Sequence, residues 1–266
     1  MKIGKATVPR TSISTSDEHT IVVRGKDLSK ELIGKIGFVD HFFLLLTGQQ
    51  PTAGQAAVLN ATLVAIAEHG LVPSNQAARM TFAAAPDAMQ GAVAAGILGC
   101  GSVVLGSSET AGRMYTEIDA LVQKGTALEE AALSVMKAWR AAGKSIPGYG
   151  HPLHKERDER VGALFEVARK AGTDLRFIAI AEAAEALIPQ VLSKPLKLNV
   201  SGAIPAVLLG AGFPAAALKG VPILARTASL IAHLYEEIQQ PIGFALSYQA
   251  TREMVYDGEL PEGFGK

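Results

Sequence analysis

The stretch IPGYGHPLHKERDER, residues 146–160, interrupts a chain that is otherwise patterned as helices. Its glycines and proline let the backbone approach a ligand closely and expose its N–H and C=O groups. His151 follows them, and an imidazole carries a proton that titrates near neutrality. Lys155, Arg157 and Arg160 come near the start of the next predicted helix, where the helix dipole disfavours cations. These residues therefore indicate an external anion, although a flexible turn with a solvated basic face would look the same.

Helical periodicity extends over most of the chain on both sides of this stretch. Only HTIVVRG (19–25) alternates as a short extended segment does. The predicted helices cover residues 28–47, 52–69, 87–106, 127–142, 155–171, 174–193, 200–211 and 221–239, with one more around Arg79. Ser74 and Asn199 are expected as N-caps, and Thr126 with Glu129 as a capping box. The predicted fold class is all-α.

Composition narrows the choice of partners and compartment. Of 266 residues 48% are hydrophobic, and 25 basic side chains balance 25 acidic ones, so neither nucleic acid nor a membrane surface is expected as a partner. Cys100 has no second cysteine to pair with, and the first residues show no apolar signal segment, so we expect a cytoplasmic protein. The uncharged segment 88–108 has the length of a membrane span but is rich in Gly, Ala and Ser, which favours a buried helix at a subunit interface.

Three further polar residues stand where a ligand contact competes with an ordinary structural role. His69 ends a predicted helix, where a histidine also complements the helix dipole. Arg226 lies in an otherwise apolar helix, and its guanidinium needs an anion, either a substrate carboxylate or an internal Asp or Glu. Glu109 directly follows the uncharged helix, in a position that also suits an ordinary first-turn acid. The sequence shows no metal-ligand spacing, no Walker loop and no Gly-x-Ser-x-Gly elbow.

Five segments in order resemble the motifs of the citrate synthase family over nearly the whole chain. The most specific is PGYGHPLHKERDER, in which an Arg stands nine residues beyond the His of a Pro-Gly-Tyr-Gly-His loop. The others are the segments 22–52, EHGLVPS (68–74), LNVSGAIPAVLLGAGFP (198–214) and ARTASLIAHLYEE (225–237). The resemblance implies a homodimer of helical subunits with the active site in a cleft between two domains. The large domain would comprise 1–108 and 201–266, and the small, coenzyme A-binding domain 109–200.

The resemblance also implies roles for individual residues. Coenzyme A thioester and oxo-acid would be the substrates, with no permanently bound cofactor and no metal. Four residues match groups of the family that hold the carboxylates and hydroxyl of the oxo-acid or citryl unit, namely His69, His151, Arg160 and Arg226. The loop that wraps the adenine of coenzyme A matches Pro147, Gly148, Tyr149 and Gly150, and a basic residue near its phosphates matches Lys155.

Three departures from citrate synthase affect its chemistry. The family has a His in His-Gly-Gly where this chain has Glu109, and an Asp in Asn-Val-Asp where it has Ser201. An Arg-Pro-Arg segment is replaced by Gln240-Pro241-Ile242. Together with the short chain and GHPLHK, the Asn-Val-Ser segment resembles a bacterial branch described as citryl-CoA lyase-like.

The predicted activity is cleavage or formation of a carbon–carbon bond in a 3-hydroxyacyl-CoA such as citryl-CoA. His151 would serve the tertiary hydroxyl, Glu109 would be the acid/base at the thioester carbon, and Ser201 would assist as a polar group. One alternative is a synthase-type acyltransferase or a hydrolase acting on another acyl-CoA. The other is a catalytically inactive coenzyme A-binding paralogue, since both the family's His and its Asp are replaced.

Overall fold

The computed structural model describes residues 9–102, 105–150 and 157–264. It is predominantly helical, as predicted, with one small antiparallel sheet near the N-terminus. The strands are β1 Ser14–Ser16, β2 Ile21–Val23 and β3 Lys26–Asp27. The helices are α1 Phe38–Thr47, α2 Ala53–Ala67, α3 Pro73–Ala84, α4 Met89–Leu98, α5 Gly106–Val122, α6 Leu128–Ala141, α7 Glu159–Lys170, α8 Arg176–Leu187, α9 Pro189–Leu192, α10 Val200–Gly210, α11 Gly220–Gln239 and α12 Gly243–Glu253.

The chain forms two compact units. The first unit comprises Met1–Ala65 and Ser107–Val221, and the second unit Ile66–Gly106 and Pro222–Lys266. The predicted division into a large domain and a small domain at 109–200, with a cleft between them, stays a prediction.

Each unit has its own helical packing. In the first unit α10 packs on α7 and α8, and α8 also packs on α6. In the second unit α3 packs on α4 and α12, and its core joins side chains of α3, α4 and α11, namely Ala78, Phe82, Ala92, Leu230 and Leu234.

Glycine and proline account for the main differences from the predicted helices. The predicted helix 28–47 is wrong, because a π-helical turn at Leu28–Leu32 is followed by a break with Gly34 at φ +73° before α1 begins. The predicted helix 87–106 is also wrong, because α4 ends at Leu98 and α5 begins only at Gly106. Helix 174–193 is divided, since Pro189 begins the short α9.

One of the three predicted helix caps is confirmed. Asn199 is the N-cap of α10, as expected, and its side chain accepts from the N–H groups of Ser201 and Gly202. Ser74 is not a cap, because Pro73 occupies the first turn of α3 and Ser74 is buried within it. The capping box at Thr126 is absent: Ala127 is the N-cap of α6 and makes no side-chain cap. Helix α12 was not predicted.

A buried arginine fixes the turn from α11 to α12 in the second unit. Arg79 is 2% exposed, and its Nε donates to Oε2 of Glu237 at 2.6 Å. Its other nitrogens bond the Glu236 carboxylate and the carbonyl of Gln240. Glu237 also accepts from the N–H groups of Ile242 and Gly243 at the start of α12. Burial opposes ionisation of Glu237, yet these donors outweigh it and hold the pKa of the carboxyl below its ordinary value.

Among the residues that the structure describes, one helical stretch, Ala215–Gln239, is long and apolar enough to cross a membrane by length and composition. This is weak evidence for a span, because core helices of water-soluble proteins pass the same test. The stretch includes Arg226 and Glu237, both of which are buried.

Candidate active site

In the first unit, the loop 147–150 is bound to the segment that leads into α10. The N–H of Gly150 donates to the carbonyl of Lys197 at 2.7 Å, and the N–H of Asn199 donates to the carbonyl of Gly148 at 3.0 Å. The Asn199 side chain completes the contact by donating to the carbonyl of Gly150 at 2.7 Å. Asn199 therefore holds both the loop and the first turn of α10.

Two glycines allow this close approach. Gly148 has φ +86°, and a Cβ there would lie 2.6 Å from the Cα of Gly202. A Cβ at Gly202 would in turn lie 2.7 Å from the Gly148 carbonyl oxygen. Glycine is thus required at both positions, by backbone conformation at the first and by space at both.

Tyr149 points into the core of the first unit. Its hydroxyl donates to the carbonyl of Ala181 at 2.9 Å and lies 3.0 Å from the hydroxyl of Tyr115. Burial raises the pKa of both phenols, so they stay neutral. The Tyr149 hydroxyl anchors the loop. Pro147 and Gly148 are buried as well and Gly150 is half-buried, so the predicted contacts of these residues with coenzyme A stay a prediction.

Asp158 organises the start of α7 and was missed from sequence. It is the N-cap of α7, and its carboxylate accepts from Nε and Nη2 of Arg160 at 3.0 and 2.8 Å. It also accepts from the N–H of Val200 at 3.3 Å, next to Ser201. Burial acts against the charge, but these donors lower the pKa of Asp158. Asp158 falls inside the predicted helix 155–171, which begins too early, because α7 starts only at Glu159.

Arg160 therefore has an internal anionic partner. Besides its two bonds to Asp158, Nη1 donates to the carbonyl of Ala65 at 3.4 Å. The guanidinium plane is fixed while the side chain stays 32% exposed. Its role on a substrate carboxylate stays a prediction, and Asp158 would orient it for that role.

Glu109 lies in the first turn of α5 and is half-buried. The preceding Ser108 is fully buried, and its hydroxyl has no hydrogen-bond partner among the described residues. One turn later, a Cβ at Gly112 would lie 2.4 Å from Leu218 and 3.2 Å from Pro205, so α5 packs tightly there. Glu109 is thus an acid on a firmly held helix end, a position that suits both its predicted role and an ordinary dipole-complementing acid.

A cavity of about 330 Å³ lies beside the loop in the first unit. Its charged lining includes Arg113 and Lys144, and the Lys144 ammonium stands 5.0 Å from the centre of the Trp139 ring. The indole N–H of Trp139 donates to Glu117 at 2.6 Å, which fixes the ring. Thr110 and Ser145 complete the lining. Sequence reasoning missed this cavity, because its cations come from separate segments.

The second unit holds the other two predicted ligands of the oxo-acid. Arg226 is 5% exposed, and its Nη1 donates to the carbonyl of Ala67 at 3.4 Å. Ala67 is the last residue of α2, and the exposed His69 follows two residues later. The structure thus brings together the His69 turn and the Arg226 helix, which lie far apart in sequence.

His151 and Lys155 fall outside the described residues, so their predicted roles stay predictions. Within the described ranges, no three His, Cys, Asp or Glu side chains lie close enough together to hold a metal ion.

The structure is helical, with the loop 147–150 and Arg160 in the first unit and His69 and Arg226 in the second. Residues 21–243 match the model of the citrate synthase C-terminal domain. The chain belongs to the citrate synthase family.

The chain is also similar to individual members of the family and to solved structures. The chain is 32% identical to the structure of citryl-CoA lyase from Hydrogenobacter thermophilus, with a TM-score of 0.83 and coverage of 96% of both chains. The fold also matches ATP citrate lyase of Methanosaeta concilii, solved with (3S)-citryl-CoA, at 23% identity and a TM-score of 0.77, over 98% of this chain and 43% of that one. A citrate synthase of Haloferax volcanii is 25% identical over 202 residues, which are 75% of this chain. The chain spans about half, 51%, of that curated relative.

Proposed function

We propose that this protein is a citryl-CoA lyase-type enzyme that cleaves or forms a carbon–carbon bond in a 3-hydroxyacyl-CoA such as citryl-CoA, with acetyl-CoA and oxaloacetate as the other partners. The observation that carries the proposal is the similarity to a citryl-CoA lyase over 96% of both chains. The chain covers 96% of that lyase but only 51% of the citrate synthase relative.

The reaction needs a base, an acid and a hydrogen-bond donor that stabilises the enolate. A base takes the proton of the tertiary hydroxyl, the carbon–carbon bond breaks with its electrons passing to the thioester enolate, and an acid then protonates the enolate carbon. We assign removal of the hydroxyl proton to His151 and protonation of the enolate carbon to Glu109. The Ser201 hydroxyl cannot act as an unassisted base, so its role is to donate a hydrogen bond. His69, Arg160 and Arg226 would hold the carboxylates.

Incubation of the purified protein with citryl-CoA tests the proposal. A lyase releases acetyl-CoA and oxaloacetate in equal amounts, which chromatography and a coupled reductive assay measure separately. A hydrolase instead releases citrate and free coenzyme A with uptake of water. Absence of acetyl-CoA and oxaloacetate would refute the lyase, and absence of citrate release as well, together with intact coenzyme A binding, would favour the inactive paralogue.

The second candidate is a synthase-type acyltransferase or a hydrolase that acts on another acyl-CoA. Ile242 favours it, because an apolar side chain stands where the family's Arg-Pro-Arg segment supplies a cation. A substrate with fewer carboxylates than citrate would need fewer cations. Comparing citryl-CoA with less carboxylated 3-hydroxyacyl-CoA substrates distinguishes the two.

The cavity beside the loop supports coenzyme A binding. We propose that Arg113 and Lys144 attract its phosphates, since they place two cations in a lining whose carboxylate, Glu117, is bonded to the Trp139 indole. Lys144→Glu should weaken coenzyme A binding about tenfold, the loss expected when an attractive charge contact becomes repulsive. Isothermal titration calorimetry measures the dissociation constant.

Lys137→Glu is the matched control, because Lys137 is an exposed residue of α6 that does not line the cavity. It changes the net charge equally and should leave the dissociation constant within about twofold. Equal weakening by both variants would show a general charge effect and remove the cavity from the proposal.

A homodimer and a cytoplasmic location belong to the same proposal. Exposed apolar side chains at Ile231, Tyr235 and Ile238 lie along one side of α11 and support an interface. The segment 88–108 was predicted to lie at the subunit interface, but one of its glycines packs inside the second unit. Within α4, Gly96 serves packing inside the second unit, since a Cβ there would lie 2.6 Å from Leu230.

A further inference from the structure

The turn that carries His69 is tied down on both sides. The carbonyl of Gly70 accepts from the buried Asn75 side chain at 2.6 Å, and the Gly70 N–H donates to the Glu68 carboxylate. Gly70 has φ +67°, which suits this glycine to the reversal. The main chain on each side of His69 is therefore held, although His69 itself is exposed.

One face of α11 supplies the anchors from outside the turn. Arg226, Ser229 and His233 lie three and four residues apart, so their side chains share that face. Arg226 bonds the carbonyl of Ala67, while the Ser229 hydroxyl donates to the Glu68 carboxylate.

His233 makes the third contact to that carboxylate. Its Nε2 lies 3.2 and 3.3 Å from the two oxygens of Glu68. Its Nδ1 is buried without a hydrogen-bond partner in the described part of the chain. A proton on Nε2 lets the ring donate to Glu68.

Glu68 is thus bonded far beyond what an exposed glutamate needs. Its side chain is 55% exposed, and water alone would satisfy it. Burial disfavours its charge, but the bonds from Ser229, Gly70 and His233 outweigh this and lower its pKa. A carboxylate held by donors from a turn and from a neighbouring helix fixes the position of one relative to the other.

We propose that Glu68, with Ser229 and His233, is a positioning group that sets the distance and orientation of His69 relative to Arg226. The inference rests on the proposed function, because it treats His69 and Arg226 as ligands of one oxo-acid. Two groups that grip the same small anion must be correctly spaced, and the Glu68 clamp joins the segments that carry them.

The test uses the full chain with 13C-labelled histidine rings and compares wild type with Glu68→Gln and the milder Ser229→Ala. The His69 ring signal is assigned with His69→Gln. Asp87→Asn is the matched control, since Asp87 is an exposed carboxylate of the same unit. We expect both test variants to shift the His69 ring signals and change their titration, while the control leaves them unchanged.

Oxaloacetate binding provides the second measurement. Glu68→Gln should raise its dissociation constant, and its KM in turnover, about tenfold while kcat changes less than threefold. His69 signals that titrate alike in all four proteins would overturn the positioning role. A shift of those signals in a protein that binds no oxaloacetate would support the clamp and count against the proposed function. Should Glu68→Gln fail to fold, Ser229→Ala alone decides, because it removes a single hydroxyl.

Discussion

Glu109→Gln is expected to reduce turnover of citryl-CoA by at least about 100-fold, since a positioned acid/base contributes on the order of 10²–10⁴ in rate. Glutamine keeps the size and hydrogen-bonding capacity of the side chain but cannot transfer the proton. Coenzyme A binding should stay within about twofold, because Glu109 is not among the residues lining the cavity beside the loop. Steady-state kinetics and calorimetry on the same preparation measure both quantities.

The control addresses the alternative that Glu109 merely complements the dipole of α5. Glu129 is an exposed acid in the first turn of α6, so Glu129→Gln loses the same dipole interaction. Its turnover should match wild type. Near-normal activity of Glu109→Gln, or equal losses in both variants, would end the assignment of Glu109 as the acid/base.

Arg79→Met should lower the free energy of unfolding by about 3–5 kcal/mol, the cost of leaving a buried charge without its partner. Glu237 is 4% exposed and would lose its strongest counter-charge while keeping its backbone donors. Urea unfolding followed by circular dichroism measures the change. Arg252→Met, at an exposed position in α12, should change stability by no more than about 0.5 kcal/mol.

The pH dependence of the free energy of unfolding provides a second test of this prediction. The pKa of Glu237 is lowered in the folded protein from an ordinary value of 4.5, so its stabilisation is complete above that pH and is lost as the pH falls through the folded value. The deficit of Arg79→Met should therefore shrink below about pH 4.5, where protonation removes the uncompensated charge. A deficit independent of pH from 7 to 3.5 would show that lost packing, and not the ion pair, is responsible.

Sequence patterns predicted the features that depend on residues close together in the chain. The 3.6-residue period gave the extent of α11, and an Asn before an apolar run gave the cap at Asn199. The Pro-Gly-Tyr-Gly-His motif indicated the family, which the match over residues 21–243 confirms.

The features that escaped prediction depend on partners distant in sequence. Arg79 pairs with residues more than 150 positions away, and no periodicity reports such a pair. Asp158 lies inside the predicted helix 155–171, and its bond to the N–H of Val200, 42 residues away, leaves no trace in the sequence pattern. The helix predicted through 87–106 failed because its small apolar residues satisfy helical periodicity, while Gly99 and Gly101 lie where the chain turns.

The contact between Gly148 and Gly202 joins the loop closely to the start of α10. A Cβ at Gly148 would lie 2.6 Å from the Cα of Gly202, so the two main chains approach as closely as only glycine allows. A displacement of the loop would therefore disturb the main chain next to Ser201. Under the proposed function, coenzyme A contact with the loop and the placement of the Ser201 hydroxyl are therefore coupled, through the Gly148–Gly202 contact and the bonds of Asn199. A redesign that varies the loop would have to vary the start of α10 with it.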